Sequence, residues 1–412
     1  MLRYSALFSV VLLLFYINTS VGSDFFRPAQ DKGLSLPKDK LYPNGQLFLF
    51  SGYSPKRENF EQLKQAKFTV LGPIYKSHDK KLLDNCKAMK ISCIYTIREK
   101  ISKRKLSKSK WVPDWKFIEN DIAAKVKELA KEKNICLWYI SPEELRWWRE
   151  NEYLYLQKAY NAIKKADPEK RPVWMYEPGH RNAKSLAKMA PYQDIIGKGC
   201  YTNYSGMEKN RIWVKWTVEQ EIEAIKQTGG SKKIPILVPE MFKDPKEDKT
   251  KVKNYARHDV YLGLVSGAKG IVIFSLSKRR GFSMHQKYID AYCEIAEELM
   301  KNQNLHRYFL FGTPRDDLKI KISSGPQKLE LNFKKIHKTY PSVNFANIAL
   351  GNRRLLVVVN SANEKVEVKF SGFPEKIKTV NAFTSAPDSA PDKGNLKIAL
   401  KPLEVRGFVF YK

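Results

Sequence analysis

Apolar residues fall along this chain in short blocks separated by polar stretches of helical character. The blocks are Leu47 to Phe50, Phe68 to Leu71, Ile91 to Ile97, Ile135 to Ile140, Pro172 to Tyr176, Asp194 to Cys200, Ile234 to Val238 and Gly270 to Phe274. A brief run that is apolar at nearly every position marks a strand buried on both faces, the environment of a parallel sheet. Between the blocks lie stripes at helical spacing. Ile118, Ile122, Val126 and Leu129 precede the fourth block, and another stripe precedes the eighth, over 255–266. After the fourth block, Leu145, Trp148, Leu156, Ala159, Tyr160 and Ile163 form a stripe that stops near Asp167-Pro168. Eight such repeats predict an α/β chain folded as a (β/α)8 TIM barrel over 45–302. A Rossmann-type sheet is the competing fold, but no G-x-G-x-x-G turn follows any block.

Past Asn302 the pattern changes to short alternating runs: Leu318 to Ile322, Lys328 to Phe333, Leu355 to Asn360, Val366 to Phe370, Leu396 to Leu400 and Val405 to Tyr411. Turn signals such as Ser324-Gly325-Pro326 and Lys393-Gly394-Asn395 separate them. This predicts a small antiparallel β-sandwich over 303–412. At the other end, Arg3, the apolar stretch from Ala6 to Ile17 and the small residues around Gly22 read as a signal peptide over 1–22. A polar lead-in follows over 23–44. This reading makes the mature chain secreted or periplasmic, with no stable membrane span because no later run is long and apolar enough.

Charge narrows the choice of partner. The 412 residues carry 74 Lys and Arg against 43 Asp and Glu, a formal +31. Nucleic acid, anionic lipid and acidic polymers all attract such a chain. Only 18 of the cations are Arg, the residue favoured for bidentate phosphate recognition, and with a secretory leader nucleic acid becomes the weakest of the three. The five cysteines are odd in number and lack metal spacing, so they read as small buried hydrophobes. His180, His258 and His285 lack metal spacing too, so no metal or organic cofactor is expected.

A barrel gathers the ends of all its strands at one mouth. The acidic residues there are Glu143 and Glu144 after the fourth block, Glu177 after the fifth, Glu240 after the seventh and Glu99 after the third. Cleaving a glycosidic bond needs two carboxyl groups, one protonated to release the leaving oxygen and one ionised to attack or to activate water. The fourth and seventh strands lie far enough apart around a barrel to face each other. Glu177 has a plainer reading, an ion pair with Arg181. Tyr53, Tyr75, Trp147, Tyr176, Tyr201 and Tyr204 would suit stacking on sugar faces, while Arg98, Glu177, Asn203 and Arg279 are candidates to bind substrate at the strand ends. Asn203-Tyr204-Ser205 is also a glycosylation sequon. Basic loops over 100–110 and at Lys278, Arg279 and Arg280 fall on the same face and point to an anionic glycan, sulfated or uronic.

Trp138-Tyr139-Ile140-Ser141-Pro142-Glu143-Glu144 after one strand and Pro235-Ile236-Leu237-Val238-Pro239-Glu240 after another resemble the 4/7 superfamily of retaining glycoside hydrolases. Asp167-Pro168, Arg171-Pro172, the phrase Ser266-Gly267-Ala268-Lys269-Gly270 and the trailing sandwich support the resemblance. It implies that Glu143 or Glu144 is the acid/base, Glu240 the nucleophile and Tyr201 a partner that holds the nucleophile ionised. The superfamily usually has Asn before the strand-four Glu, where this chain has Pro142 or Glu143, so the choice between the two glutamates stays open. The reading is a monomeric, secreted glycoside hydrolase. Its alternatives are a barrel that binds carbohydrate without turnover and a basic secreted protein that docks to anionic cell-surface polymer.

Overall fold

The computed structural model describes residues 48–74, 79–98, 101–108, 111–229, 233–374 and 377–411. The leader and lead-in readings, Tyr75, Glu99 and Lys100 lie outside the described residues, and for Arg98 only the backbone is described. The strands are β1 (Leu49–Gly52), β2 (Val70–Leu71), β3 (Ser92–Arg98), β4 (Ile135–Ser141), β5 (Val173–Trp174), β6 (Ile195–Ile196, resuming at Gly199–Cys200), β7 (Ile234–Pro235, resuming at Val238–Pro239) and β8 (Gly270–Ile273). The helices that follow them in turn are α1 (Phe60–Gln65), α2 (Asp79–Met89), α3 (Trp115–Leu129), α4 (Glu150–Ala166), α5 (Ala183–Met189), α6 (Trp213–Gln227), α7 (Val252–Val265) and α8 (His285–Glu297).

Pairing is parallel from β2 through to β7. Isolated bridges join β7 to β8, β8 pairs with β1, and the Thr69 amide bonds the Phe50 carbonyl to bring β1 against β2. The sheet therefore closes on itself and leaves no free edge. Inside it pack Leu49, Ile94, Leu137, Trp174, Ile236 and Val272, while Trp138, Ile140 and Met175 face the helices. The blocks read as strands because residues on both faces are excluded from water.

The helix after β4 starts later than its stripe predicts. Glu144 adopts a left-handed backbone (φ 57°), and the buried Glu152 carboxylate accepts from the Arg146 amide and guanidinium. Leu145 and Trp148 therefore belong to a turn, and helix runs only from Glu150. Its far end behaves as expected. Asp167 caps the turn into β5 by accepting from Trp138 Nε1 (2.8 Å) and the Arg171 amide (2.9 Å).

The C-terminal region holds a five-stranded antiparallel sheet centred on Arg353–Asn360, facing a three-stranded sheet of Lys319–Ser324, Val366–Ser371 and Asn395–Leu400. Leu356, Val358, Phe408 and Phe410 pack against Val368, Phe370 and Ile398 of the second sheet. The alternate residues Leu355, Val357 and Val359 join the core around the barrel helices, which explains why the run from Leu355 to Val359 is apolar without a break. His258 on α7 meets Ser361 across the junction (3.1 Å) and pairs with Asp259 (3.0 Å). Among the described residues no helix is long and apolar enough to cross a membrane.

Candidate active site

At the carboxyl end of the strands lies a cleft of about 770 Å³. Its walls come mostly from residues at or past strand ends: Ile74 after β2, Tyr139 and Ser141 in β4 with Pro142 to Glu144 after it, Tyr176 after β5, Tyr201 and Tyr204 after β6, Phe242 after β7, and Phe274 and Arg279 after β8. Ile101, Ser102 and Lys103 close one side. Tyr176 stacks on Tyr201 (centroids 6.3 Å apart, 13° between planes) and on Phe274 (5.9 Å), giving a continuous aromatic wall. The wall depends on Gly199, because a Cβ there would collide with Tyr176 Oη and with the Tyr201 ring.

The adjacent glutamates of the β4 turn differ. Tyr139 donates its hydroxyl to Glu143 Oε2 and accepts from Tyr53 Oη (3.1 Å), so Glu143 ends a chain of two buried phenols. Burial, with the Glu143 charge, pushes both phenol pKa values well above the usual range, which keeps both hydroxyls protonated as donors. Glu144 turns outward. Its side chain is 41% exposed and among the described residues pairs with Lys103 (3.4 Å), itself partly exposed.

Glu240 is 4% exposed and sits among residues of the cleft wall without forming part of its surface. A backbone bridge ties it to Phe274, and its Oε2 accepts from the Tyr204 amide (3.0 Å). Its Oε1 has no hydrogen-bond partner among the described residues. Burial pushes its carboxyl up to about 7, against the pull of the Tyr204 and Asn203 amides and of Arg211. Arg211 is fully buried and held by Asp259 (2.9 and 2.6 Å) and Thr202 (2.9 Å), so its charge is fixed.

The other expected site residues are placed as follows. Tyr176, Tyr201 and Arg279 line the cleft. Tyr53 lies under it, fully buried. Asn203 is 2% exposed, with its amide spent on Tyr288 Oη (2.9 Å) and the Lys243 carbonyl (3.2 Å). Glu177 is sealed inside, where Arg181 and Gln193 occupy its two oxygens and Arg181 also reaches the Leu145 carbonyl. Trp147 and Trp148 form an exposed pair beside the β4 turn. Two residues escape a reading based on strand ends. Tyr139 lies within β4, and Phe242 lies three residues past β7. Alternation carried the signal for Tyr139, since Leu137 and Tyr139 point into the barrel while Trp138 and Ile140 point out. Among the described residues no group of three or more His, Cys, Asp or Glu is placed to hold a metal ion.

No family description and no curated relative matches the sequence. Solved structures do match. A GH30 endoxylanase from Clostridium papyrosolvens C71 is 12% identical at a TM-score of 0.51, over 89% of this chain and 97% of its own. An alpha-amylase from Geobacillus thermoleovorans, complexed with acarbose, is 10% identical at 0.52, over 86% and 91%. A GH27 β-L-arabinopyranosidase from Geobacillus stearothermophilus is 10% identical at 0.50, over 88% and 82%. The shared feature is the fold, a barrel followed by a sheet region. It spans several groups of glycoside hydrolases and singles out no one superfamily, so it is broader than the 4/7 resemblance alone.

Proposed function

We propose that this chain is a glycoside hydrolase whose working carboxyl groups are Glu143 and Glu240, acting on an anionic polysaccharide or oligosaccharide. The observation that carries the reading is the pairing of environments at one aromatic cleft. Glu143, fixed by Tyr139, lines the cleft, and Glu240, with one carboxyl oxygen uncommitted among the described residues, lies buried behind the wall at Tyr204 and Phe274. Glu144, exposed and paired with Lys103, is the less suited member of the doublet.

In the retaining scheme of the 4/7 superfamily, Glu240 attacks the anomeric carbon while the proton of Glu143 passes to the departing glycosidic oxygen. Water then displaces Glu240, giving its proton back to Glu143. Tyr176, Tyr201 and Phe274 supply faces for sugar rings, and Arg279 and Lys103 supply charge for acidic substituents. The scheme calls on no metal or organic cofactor. Residues 1–22 act as a leader, and the mature protein works outside the cytoplasm as a monomer.

One observation favours the opposite division of labour. Burial raises the Glu240 carboxyl to about 7, which favours its protonated form relative to an ordinary carboxylate. A pH profile of kcat/KM separates the two schemes. If Glu240 is the nucleophile, the rate falls as pH drops through about 7; if it is the acid, the rate falls as pH rises through about 7.

The test of the proposal is a set of single substitutions, Glu143→Gln, Glu144→Gln and Glu240→Gln, assayed for cleavage and binding on heparin, chondroitin sulfate, hyaluronan, polygalacturonate, xylan and starch. Cleavage lost by roughly 10²–10⁴-fold at Glu143 and Glu240, with binding kept, is expected. Wild-type protein that binds and never cleaves overturns the hydrolase in favour of a binding barrel.

A further inference from the structure

Arg279 belongs to two concavities. Its guanidinium lies over Phe242 (4.3 Å to the centroid) and Phe274 (5.2 Å), both in the cleft wall. The same residue forms one end of a shallow trough of about 470 Å³ that continues along Lys278, Arg280, Gly281 and Ser283 and reaches Lys56 after β1. The two spaces therefore meet at one cation.

The trough is fixed in place. Gly281 takes the left-handed turn (φ 78°) that reverses the loop, and Phe282 is buried beneath it against Tyr288 (5.6 Å). Asp244 anchors the far side by accepting from Ser283 Oγ (2.5 Å) and from the Met284 amide (2.9 Å). Among the described residues the carboxylates of Asp244 and Glu58 lie nearby, and both are engaged. Asp244 is held by these groups and by Lys249 (3.0 Å), and the exposed Glu58 meets Lys56 (3.4 Å). Among the described residues none pairs with Lys278, Arg279 or Arg280. Three consecutive cations on a braced loop repel one another, and an external anion relieves that repulsion.

From this continuity we infer that the trough holds acidic sugar residues flanking the one in the cleft, so that the ligand is an extended anionic polysaccharide rather than a single terminal sugar. The inference rests on reading the cleft as a glycan site, but not on turnover. Stacking on aromatic faces accepts neutral and acidic sugars alike; the trough, with its cations and its buried Phe282, offers little to a neutral ring. Selection for charge therefore grows with chain length.

Binding to the full-length Glu240→Gln protein tests this without cleavage. Fluorescence polarisation would compare a disaccharide and a hexasaccharide of sulfated glycan, the same two lengths of uronate glycan, and neutral xylo-oligosaccharides, each with and without Lys278→Ser/Arg280→Ser. The account expects the hexasaccharide of at least one acidic series to bind roughly tenfold tighter than its disaccharide. That increment shrinks in the double variant and at 0.5 M salt, and the neutral series shows none; the acidic series with the larger increment identifies sulfate or carboxylate as the group bound. An equal increment in the double variant overturns the inference, as does an oligonucleotide that competes as well as the hexasaccharide. If the increment appears while wild-type protein cleaves nothing, the hydrolase reading fails and the trough stands. If cleavage occurs without an increment, the trough alone fails.

Discussion

Glu177 and Glu240 make a natural experiment inside one barrel. Each follows a buried parallel strand, each is almost wholly buried, and burial raises the carboxyl pKa of both. They differ in what is left over. Arg181 and Gln193 take both oxygens of Glu177, and the Arg181 guanidinium goes on to bind the turn at Leu145. Glu240 accepts from the Tyr204 amide on Oε2, while its Oε1 has no hydrogen-bond partner among the described residues. A buried carboxyl oxygen without a partner costs about 1–3 kcal/mol. Burial and a raised pKa are common to both and so cannot separate them; in the proposed reading the uncommitted oxygen of Glu240 does.

The comparison is sharpest where a charge is removed from one member. Glu177→Gln leaves Arg181 buried without its counter-charge and should cost about 3–5 kcal/mol, read as a fall in unfolding midpoint in urea. Glu240→Gln should do the reverse. The folded-state pKa of Glu240 is about 7 against a reference of 4.5, so the folded state holds the proton more tightly than the unfolded one. Stability from this group is fully present below the unfolded value, declines as pH rises, and is fully lost above about 7. The Gln variant, free of that penalty, should gain on the order of 2 kcal/mol relative to wild type at pH 8 and almost nothing at pH 4. Equal shifts for both variants would erase the distinction.

Smaller effects probe the β4 turn. Tyr139→Phe removes the donor from Glu143 and should lower kcat roughly tenfold while changing KM little. Lys103→Ser breaks only a partly exposed pair with Glu144, and its effect on stability should stay under about 1 kcal/mol.

Most of the barrel was legible because burial on both faces leaves an apolar run that no neighbouring polar requirement disguises. Val173 and Trp174, or Gly270 to Ile273, could hardly be anything else. Helix starts were less legible: Leu145 and Trp148 fit the stripe, yet Arg146 folds back on Glu152, an interaction between side chains that periodicity does not register. In the C-terminal region, Val343–Leu350 went unread as a strand because both of its faces mix apolar residues with Asn, and Ile336–Pro341 because its only buried residue is Tyr340. The candidate carboxylates were found by their place after strands. Nothing in the sequence says that Asn203 spends its amide on Tyr288 and Lys243, or that Glu177 is sealed by Gln193, because these partners meet only in three dimensions.

The most direct test is one paired assay of Glu240→Gln and Glu177→Gln, scoring glycan cleavage per folded molecule alongside thermal stability. The account predicts that Glu240→Gln melts at or above wild type and loses cleavage, while Glu177→Gln melts lower and its folded fraction still cleaves. Full cleavage by Glu240→Gln, or loss confined to Glu177→Gln, would contradict it.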